Sequence, residues 1–304
     1  MQSTVEKLNH QLDGAVIEWK WWQQHHGKGA KSRFARFLKA PLLFARLQIS
    51  KIIPVPQTAQ LFWGEPLKCY WPDYFYTTVF GLLKDSSEVG LTRFLINHLQ
   101  PGDTFLDIGA SVGFYSLLSA QLITEGQIHA FEPTPATFNL LQQNTTHHPQ
   151  IHLHQLAVGE TSGTAQFHLS SKVSVKNSLQ HRRSTTESIS VSVTTLDQFC
   201  MEKNIVPSFI KIDVEGAEPD VIAGGMKTLT THQPLISLEM RINKNEPHIR
   251  ASLHLIKLGY RAYALNLEGQ LQPLEITQED VARVIGKDSI YTNLIFSKQP
   301  LPTL

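Results

Sequence analysis

The spacing of apolar residues predicts most of the secondary structure, and this spacing changes character near residue 101. Beyond that point, short apolar runs alternate with segments whose apolar residues recur at helical intervals. This rhythm favours an α/β fold with a seven-stranded, mostly parallel sheet and helices on both faces. Strands are predicted near 104–108, 127–132, 151–157, 208–213, 234–240, 260–266 and 289–297, and helices near 113–123, 135–146, 217–230 and 247–258.

A departure from this rhythm between residues 158 and 200 predicts an insertion. Ile and Val alternate with Ser and Thr at positions 189–194, as a half-buried strand requires. We interpret the insertion as a hairpin between the third and fourth strands. Its small, polar segment at 171–179 is typical of a mobile lid or an acceptor-binding loop, and equally of an ordinary solvated loop.

Two further segments precede the predicted sheet domain of residues 101–304. Residues 1–56 combine apolar residues at helical spacing with lysines and arginines, which predicts a helical extension of one or two basic amphipathic helices. Its end is placed at Pro54 and Pro56, because a residue before proline is disfavoured in a helix. Residues 57–100 are rich in aromatic side chains, with Gly and Pro between them, which predicts a cap or hairpin and then a lead-in helix.

The basic amphipathic stretch at residues 17–53 has two interpretations. Lys and Arg beside Trp and Phe suit a peripheral contact with an anionic membrane surface. Alternatively, its apolar face packs on the sheet domain or on a second copy of the chain, and the second arrangement would give a homo-oligomer. The sequence leaves both interpretations open.

Composition narrows the class of protein rather than its fold. Of the 304 residues, 41% are hydrophobic and 17% are charged, as in soluble globular proteins, and the net charge of +1 favours no nucleic-acid partner. Cys69 and Cys200 lie too far apart for a disulfide framework or a cysteine metal site, which fits a reducing compartment. Because the chain has neither a signal-peptide pattern nor an apolar run of about 18 residues, we expect a cytoplasmic protein, with the inner membrane surface as an alternative.

The turn after the first strand of this sheet has the composition of a cofactor-binding loop. It reads Asp107-Ile108-Gly109-Ala110-Ser111-Val112-Gly113 and leads into a helix, whose first N–H groups favour an anionic group. Gly109 and Gly113 allow a close approach of backbone that a Cβ atom would block. The carboxylate of Asp107 would repel a pyrophosphate, but it can receive the ammonium group of an amino acid, such as that of S-adenosylmethionine (SAM).

Glu132 is a second acidic residue at a strand end, and it follows the glycine loop by about 20 residues. A carboxylate in this place is suited to accept hydrogen bonds from both hydroxyls of a ribose. Together with the loop it predicts an adenosine-bearing cofactor. A nucleotide-dependent oxidoreductase is the rival hypothesis, but positions 109–114 read GASVGF and do not match the G-x-G-x-x-G pattern of such enzymes.

Three carboxylates follow the fourth strand of the sheet: Asp213, Glu215 and Glu218. They lie at the carboxyl end of a central strand, where open α/β sheets bind ligands. Such groups can abstract a proton, hold a substrate or bind a metal ion. We interpret Asp213 as a site residue and Glu218 as a residue that stabilises the start of the next helix.

Five strings in this order, and at matching spacing, resemble the FkbM family of SAM-dependent methyltransferases: DIGASVGFYSLLSA, HAFEPTPATFNLLQQN, LAVGE, VTTLDQF and FIKIDVEGAEPDVIAGG. The resemblance covers about residues 85–260, and KIDVEGAE is its most specific part. It implies a class I, Rossmann-like methyltransferase fold, SAM as the cofactor, and O-methylation of a hydroxyl on a small-molecule, sugar or glycan acceptor. The family often has Asn where this chain has Ser111.

The resemblance also implies a set of cofactor-binding positions, with the last two beside the adenine. These are Asp107, Gly109, Ser111, Gly113, Glu132, Ala157 and Val158.

Methyl transfer to a hydroxyl needs a base, and Asp213 or Glu215 is the first choice for it. His168, His181 and Glu239 are second-line candidates. A metal-assisted mechanism, with Asp213 and Glu239 as ligands of a magnesium-like ion, is an alternative. A second functional hypothesis is a protein that binds SAM or its product, S-adenosylhomocysteine (SAH), without catalysing transfer.

Overall fold

Two compact units make up the chain, Gln2–Asp85 and Ser86–Leu304. The structure is a computed structural model that describes residues 2–25, 55–70, 77, 86–170, 185–241, 246–276 and 291–303.

The first unit contains a long helix and a short hairpin. Helix α1 spans Gln2–His25, and strands β1 (Gln57–Gln60) and β2 (Pro66–Cys69) pair in antiparallel fashion, as predicted for this segment. Gly64 has a φ of 93° in the turn between the two strands, a conformation that glycine adopts without strain. Residues 26–54, which hold most of the predicted basic stretch, lie outside the described residues. None of the helices in the described part of the chain is long and apolar enough to cross a membrane.

The second unit is built around an eight-stranded sheet. Its strands are β3 (Thr104–Ile108), β4 (Gln127–Phe131), β5 (Ile151–His154), β9 (Phe209–Ile212), β10 (Leu235–Arg241), β11 (Arg261–Leu265), β12 (Leu271–Leu274) and β13 (Tyr291–Ser297). They lie in the order β12-β11-β13-β10-β9-β3-β4-β5, and β13 runs antiparallel to both of its neighbours. The seven predicted strands are all present. Leu271–Leu274 adds an eighth at the edge, where Pro273 is tolerated because an edge strand needs fewer backbone donors.

Seven helices are described in this unit. They are α2 (Ser86–His98), α3 (Phe114–Ala120), α4 (Pro135–Thr145), α5 (Leu196–Lys203), α6 (Glu218–Ala223), α7 (Met226–His232) and α8 (Glu246–Lys257). The prediction of a single helix at 217–230 is wrong, because two glycines divide this segment into α6 and α7. A Cβ atom on Gly224 would lie 2.0 Å from the carbonyl oxygen of Gly159, so the chain bends at a close backbone contact.

The predicted insertion is a hairpin with a short third strand. Strands β7 (Gly163–Ser170) and β8 (Thr185–Thr194) pair in antiparallel fashion, and β6 (Ala157–Val158) pairs in parallel with β8. The end of the insertion was not predicted to be helical, but α5 begins at Leu196 because the Thr195 side chain accepts the N–H of Gln198 at 3.0 Å. The predicted lid segment at 171–179 lies outside the described residues.

Three histidines stack at the β4–β5 edge of the sheet. His129 on β4 pairs in register with His152 on β5, and its Nδ1 atom lies 3.1 Å from the Nε2 atom of His154. Phe199 from α5 packs edge-on against His129 and His154. Burial, and then the neighbouring histidines, lower the pKa of His129 to about 3, and burial lowers that of His154 to about 4. The folded protein therefore holds both imidazoles neutral over a wide pH range.

This stack predicts a loss of stability in mild acid. An unfolded histidine takes up a proton near pH 6.5, whereas the folded His129 does so near pH 3, so between these values the unfolded chain binds more protons and the free energy of unfolding falls as the pH is lowered. We expect His129 alone to contribute a slope of up to about 1.4 kcal/mol per pH unit in that window. Urea unfolding at several pH values measures it.

The matched variants are His129→Asn, which removes the buried titratable ring, and His147→Asn at an exposed position. His129→Asn should flatten the dependence of unfolding free energy on pH, and His147→Asn should leave it as in the wild type. Equal slopes for the wild type and His129→Asn would contradict the prediction.

Candidate active site

The glycine loop lies where the carboxyl ends of β3 and β9 meet. Gly109 and Gly113 have φ values of 83° and 98°. A Cβ atom on Gly109 would lie 2.0 Å from the carbonyl oxygen of Asp213, and one on Gly113 would lie 2.7 Å from the Cδ1 atom of Leu141. Gly109 therefore needs glycine because backbone occupies the place of a Cβ atom, and Gly113 needs it mainly because of its positive φ, before any ligand is considered.

Most of the described N–H groups of this loop are used inside the protein. Gly109 and Ala110 both donate to the carbonyl oxygen of Phe131, at 3.1 and 2.9 Å. The N–H of Ser111 donates to the carboxylate of Glu132. Ser111 has a φ of 52°, in the left-handed region, which Asn also tolerates well. The loop is thus held rigidly between two strand ends.

Glu132 lies directly after β4 and is 8% exposed. Its Oε1 atom accepts the backbone N–H of Thr134 at 2.9 Å, in addition to the N–H of Ser111. Burial raises the pKa of this carboxyl to about 7, although both N–H donors act to lower it. An oriented carboxylate with this pKa gains from any ligand that donates hydrogen bonds to it.

Asp107 has a different environment, because the protein itself supplies its partners. The side chain is fully buried, and its Oδ2 atom accepts the hydroxyl of Ser116 at 2.7 Å. Its Oδ1 atom lies 3.4 Å from the ammonium of Lys211, which in turn lies 3.6 Å from Oδ2 of Asp213. A cation of the chain therefore already occupies the side of Asp107 where we expected the ammonium of the cofactor.

The environment of Lys211 extends to a buried tyrosine. Its Nζ atom lies 5.1 Å from the ring centroid of Tyr115, a distance at which a cation is attracted to an aromatic face. The Tyr115 hydroxyl donates to the carboxylate of Glu88 in α2. Burial, and then the charge of Glu88, raise the pKa of Tyr115 well above its ordinary value. Helices α2 and α3 are thereby joined to the central strand by polar contacts.

The turn after β9 carries the candidate base residues. Asp213 is continuous with the strand, and its N–H donates to the carbonyl oxygen of Ile108 at 3.1 Å. Glu215 is 9% exposed and has a φ of 57°, and Gly216 follows with a φ of 112°. Two successive residues in the left-handed region are unusual, and contacts with the surrounding residues must hold the turn in this conformation.

Other predicted residues lie farther along the fold. Glu239 is 5% exposed and pairs in register with Asn293. It comes directly after the last residue of β10 that pairs with β9, and Asp213 comes directly after the partner of that residue on β9. Ala157 and Val158 are buried in β6. His168 is a residue of β7, and its side chain is not described; His181 lies outside the described residues.

No metal site is evident within the described ranges: they contain no group of three or more His, Cys, Asp or Glu residues that could hold a metal ion.

Sequence reasoning missed the partners of the buried carboxylates. Lys211 lies in the strand FIKI, of which all four residues are buried. A lysine in such a strand is itself a signal, because a buried charge requires a partner. The sequence carries no comparable signal for Ser116, Tyr115 and Glu88, since their contacts depend on how α2 and α3 pack.

Comparison with known proteins gives one family. The family model described as the methyltransferase FkbM domain matches residues 107–262, which is half of the chain and spans the glycine loop, Glu132 and the turn after β9.

Three curated relatives are methyltransferases whose names state an acceptor or a position. The 2-O-methyltransferase NoeI of Sinorhizobium fredii is 29% identical over 49% of this chain and 69% of its own length. The hexuronic acid methyltransferase AglP of Haloferax volcanii is 26% identical over 45% of this chain and 56% of its own length. The 31-O-demethyl-FK506 methyltransferase FkbM of Streptomyces tacrolimicus is 29% identical over 45% of this chain and 66% of its own length. The chain thus spans about half to two thirds of these relatives.

The contacts of Lys211 predict a large effect on stability. Lys211→Met keeps an unbranched side chain one heavy atom shorter, but it leaves Asp107 fully buried without its cation, so we expect the free energy of unfolding to fall by about 3 to 5 kcal/mol. Urea unfolding at neutral pH measures this change.

Lys257→Met, at an exposed position of α8, is the matched control and should change the unfolding free energy by less than about 0.5 kcal/mol. A Lys211→Met variant as stable as this control would show that the buried ion pairs contribute little.

Proposed function

We propose that this chain, which belongs to the FkbM methyltransferase domain family, transfers a methyl group from SAM to a hydroxyl of a sugar, glycan or secondary metabolite. The observation that carries the proposal is the arrangement at the carboxyl ends of the sheet strands. The buried, oriented carboxylate of Glu132 flanks the glycine loop on one side, and Asp213 contacts it on the other. Relatives named as methyltransferases of a 2-O position and of a hexuronic acid support the acceptor class.

The residues present fit SAM. Glu132 would accept hydrogen bonds from the ribose hydroxyls, since its carboxylate is oriented by two N–H donors and flanks the loop. Gly109, Ser111 and Gly113 would shape the loop beside the methionine part, and Ala157 and Val158 would offer apolar contact to the adenine. Asp107 would act on the cofactor through the loop, because its own carboxylate is engaged by Ser116 and Lys211.

When bound, SAM would supply an electrophilic methyl carbon on a positively charged sulfur. The protein must then align an acceptor hydroxyl and receive its proton. Asp213 is our first candidate for the base, because its side chain is 19% exposed at the end of the central strand. Glu215 in the same turn is the second, followed by Glu239, His168 and His181.

The other hypotheses make distinct predictions. A non-catalytic protein would bind SAM or SAH with the same residues but transfer no methyl group. A metal-assisted enzyme using Asp213 and Glu239 would lose activity on treatment with a chelator. The oxidoreductase hypothesis is not supported by the FkbM family match.

We retain two finer proposals about partners. One is a peripheral contact of residues 17–53 with the inner membrane surface, which vesicle flotation of the full chain would test. The other is a homo-oligomer, which sedimentation would test.

The pKa of Glu132 predicts how cofactor binding depends on pH. Since this carboxyl has a pKa of about 7 and only the carboxylate accepts both ribose hydroxyls, we expect the affinity for SAH to fall below that pH, by up to about tenfold per pH unit. Isothermal titration calorimetry between about pH 8 and about pH 6 measures the affinity.

Glu132→Gln should bind SAH more weakly and with little dependence on pH, whereas Glu160→Gln, at an exposed position, should behave like the wild type. If Glu132→Gln keeps the affinity and pH dependence of the wild type, Glu132 does not hold the ribose.

The proposed activity is tested with labelled SAM and a panel of hydroxylated sugars and small molecules. We expect transfer by the wild type, and a loss of at least about a hundredfold in Asp213→Asn with an SAH affinity within a few-fold of the wild type. Binding of SAM without transfer to any acceptor would favour the non-catalytic hypothesis. Unchanged transfer by Asp213→Asn would remove Asp213 as the base and leave Glu215 as the candidate.

A further inference from the structure

Glu218 reaches from the start of α6 back to the turn that carries the candidate base residues. Its side chain is fully buried. The Oε1 atom accepts the N–H of Val214 at 3.3 Å and the N–H of Gly216 at 3.1 Å. One carboxylate oxygen thus binds two N–H groups on either side of Glu215, the residue with a φ of 57°. Without this acceptor, the turn would contain buried N–H groups that have lost their partner, a costly arrangement.

The other oxygen of Glu218 faces α8. Its Oε2 atom lies 3.4 Å from the Nδ1 atom of His248, which is 2% exposed. Both atoms are buried, and neither makes a hydrogen bond within the described residues. Burial raises the pKa of Glu218, whereas the charge of His248 acts to lower it. His248 thus contacts the carboxylate electrostatically from α8, while the hydrogen bonds of Glu218 go to the turn.

The turn held by Glu218 also supports the glycine loop. The Asp213 carbonyl oxygen lies where a Cβ atom of Gly109 would be, 2.0 Å away, and the Asp213 N–H donates to Ile108. Because these contacts leave no spare room, a change in the conformation of the turn must displace the loop.

We propose that Glu218 is a positioning residue: its carboxylate fixes the turn of Asp213 and Glu215, and through Gly109 it also fixes the cofactor loop. The inference rests on the proposed function for its effect on SAM and SAH, whereas the hydrogen bonds of the turn are independent of it. What matters in this arrangement is the reach of the side chain to two N–H groups, and its charge is secondary.

Two substitutions separate reach from charge. Glu218→Gln keeps the length of the side chain and an oxygen that accepts both N–H groups, and its amide can donate to His248. Glu218→Asp keeps the charge, but its carboxylate is shorter by one methylene and withdraws from the turn. We expect Glu218→Gln to bind SAH within about threefold of the wild type and Glu218→Asp to bind it at least about tenfold more weakly.

Asp197→Ala, in α5, is the matched control, because the Asp197 side chain holds the start of α7. Asp197 also accepts two backbone N–H groups, from Lys227 at 3.0 Å and Thr228 at 2.7 Å, and its own N–H donates to Gly224. This variant should lose stability but keep the SAH affinity of the wild type. It therefore separates a general loss of stability from a loss of positioning.

The SAH affinity is measured by calorimetry, and the amide hydrogen exchange of residues 213–217 is measured in parallel. Both are measured for the wild type, Glu218→Gln, Glu218→Asp and Asp197→Ala. Faster exchange and weaker binding in Glu218→Asp, with both restored in Glu218→Gln, support the inference. Wild-type affinity in Glu218→Asp, or equal losses in both Glu218 variants, would overturn it. If the wild type binds neither SAM nor SAH, the proposed function fails, and the exchange data still report whether Glu218 holds the turn.

Discussion

A buried ammonium on the central strand governs how the ligand-binding edge of the sheet is arranged. Taking the charge of Lys211 out of water costs several kcal/mol, roughly, unless nearby carboxylates compensate it. Asp107 and Asp213 do so at 3.4 and 3.6 Å: Asp107 lies on the neighbouring parallel strand β3, in register with Lys211, and Asp213 directly follows β9, the strand of Lys211 itself. The ion pairs therefore connect the two strand ends between which the glycine loop must fit. The loop, the base candidates and the helix after the loop all take their positions from this point.

Glycine in the loop is a consequence of that close arrangement. Gly109 has the Asp213 carbonyl oxygen where a Cβ atom would be, and its N–H and that of Ala110 are used by Phe131. The N–H groups of Gly109 and Ala110 therefore serve contacts within the protein. Glu132 lies beside the loop, and the N–H of Ser111 connects the two.

The sequence predicts those parts of the fold that depend on local periodicity. The seven predicted strands are present because alternation and apolar runs reflect burial on a sheet. Leu271–Leu274 was missed because Pro273 argues against a strand, and the break in the helix at 217–230 was missed because it lies at a contact of Gly224 with the distant Gly159. The partners of Asp107 were missed for the same reason. A lysine in FIKI signals a buried charge, but which carboxylates receive it depends on the packing of distant segments.

The buried carboxylates of Asp107 and Glu132 lie at adjacent strand ends but have different environments, because their partners differ. Asp107 is 0% exposed, and its partners within the chain are the hydroxyl of Ser116 and the ammonium of Lys211. Glu132 receives two N–H groups and the hydroxyl of Thr134, but no cation, and burial still raises its pKa to about 7, so its charged form is held less firmly. A ligand that donates hydrogen bonds to Glu132 would add stabilisation to the charged form. Asp107, which the sequence suggested as a partner for the ammonium of the cofactor, therefore has its contacts within the chain, whereas Glu132 is the residue to which our proposal assigns the ribose.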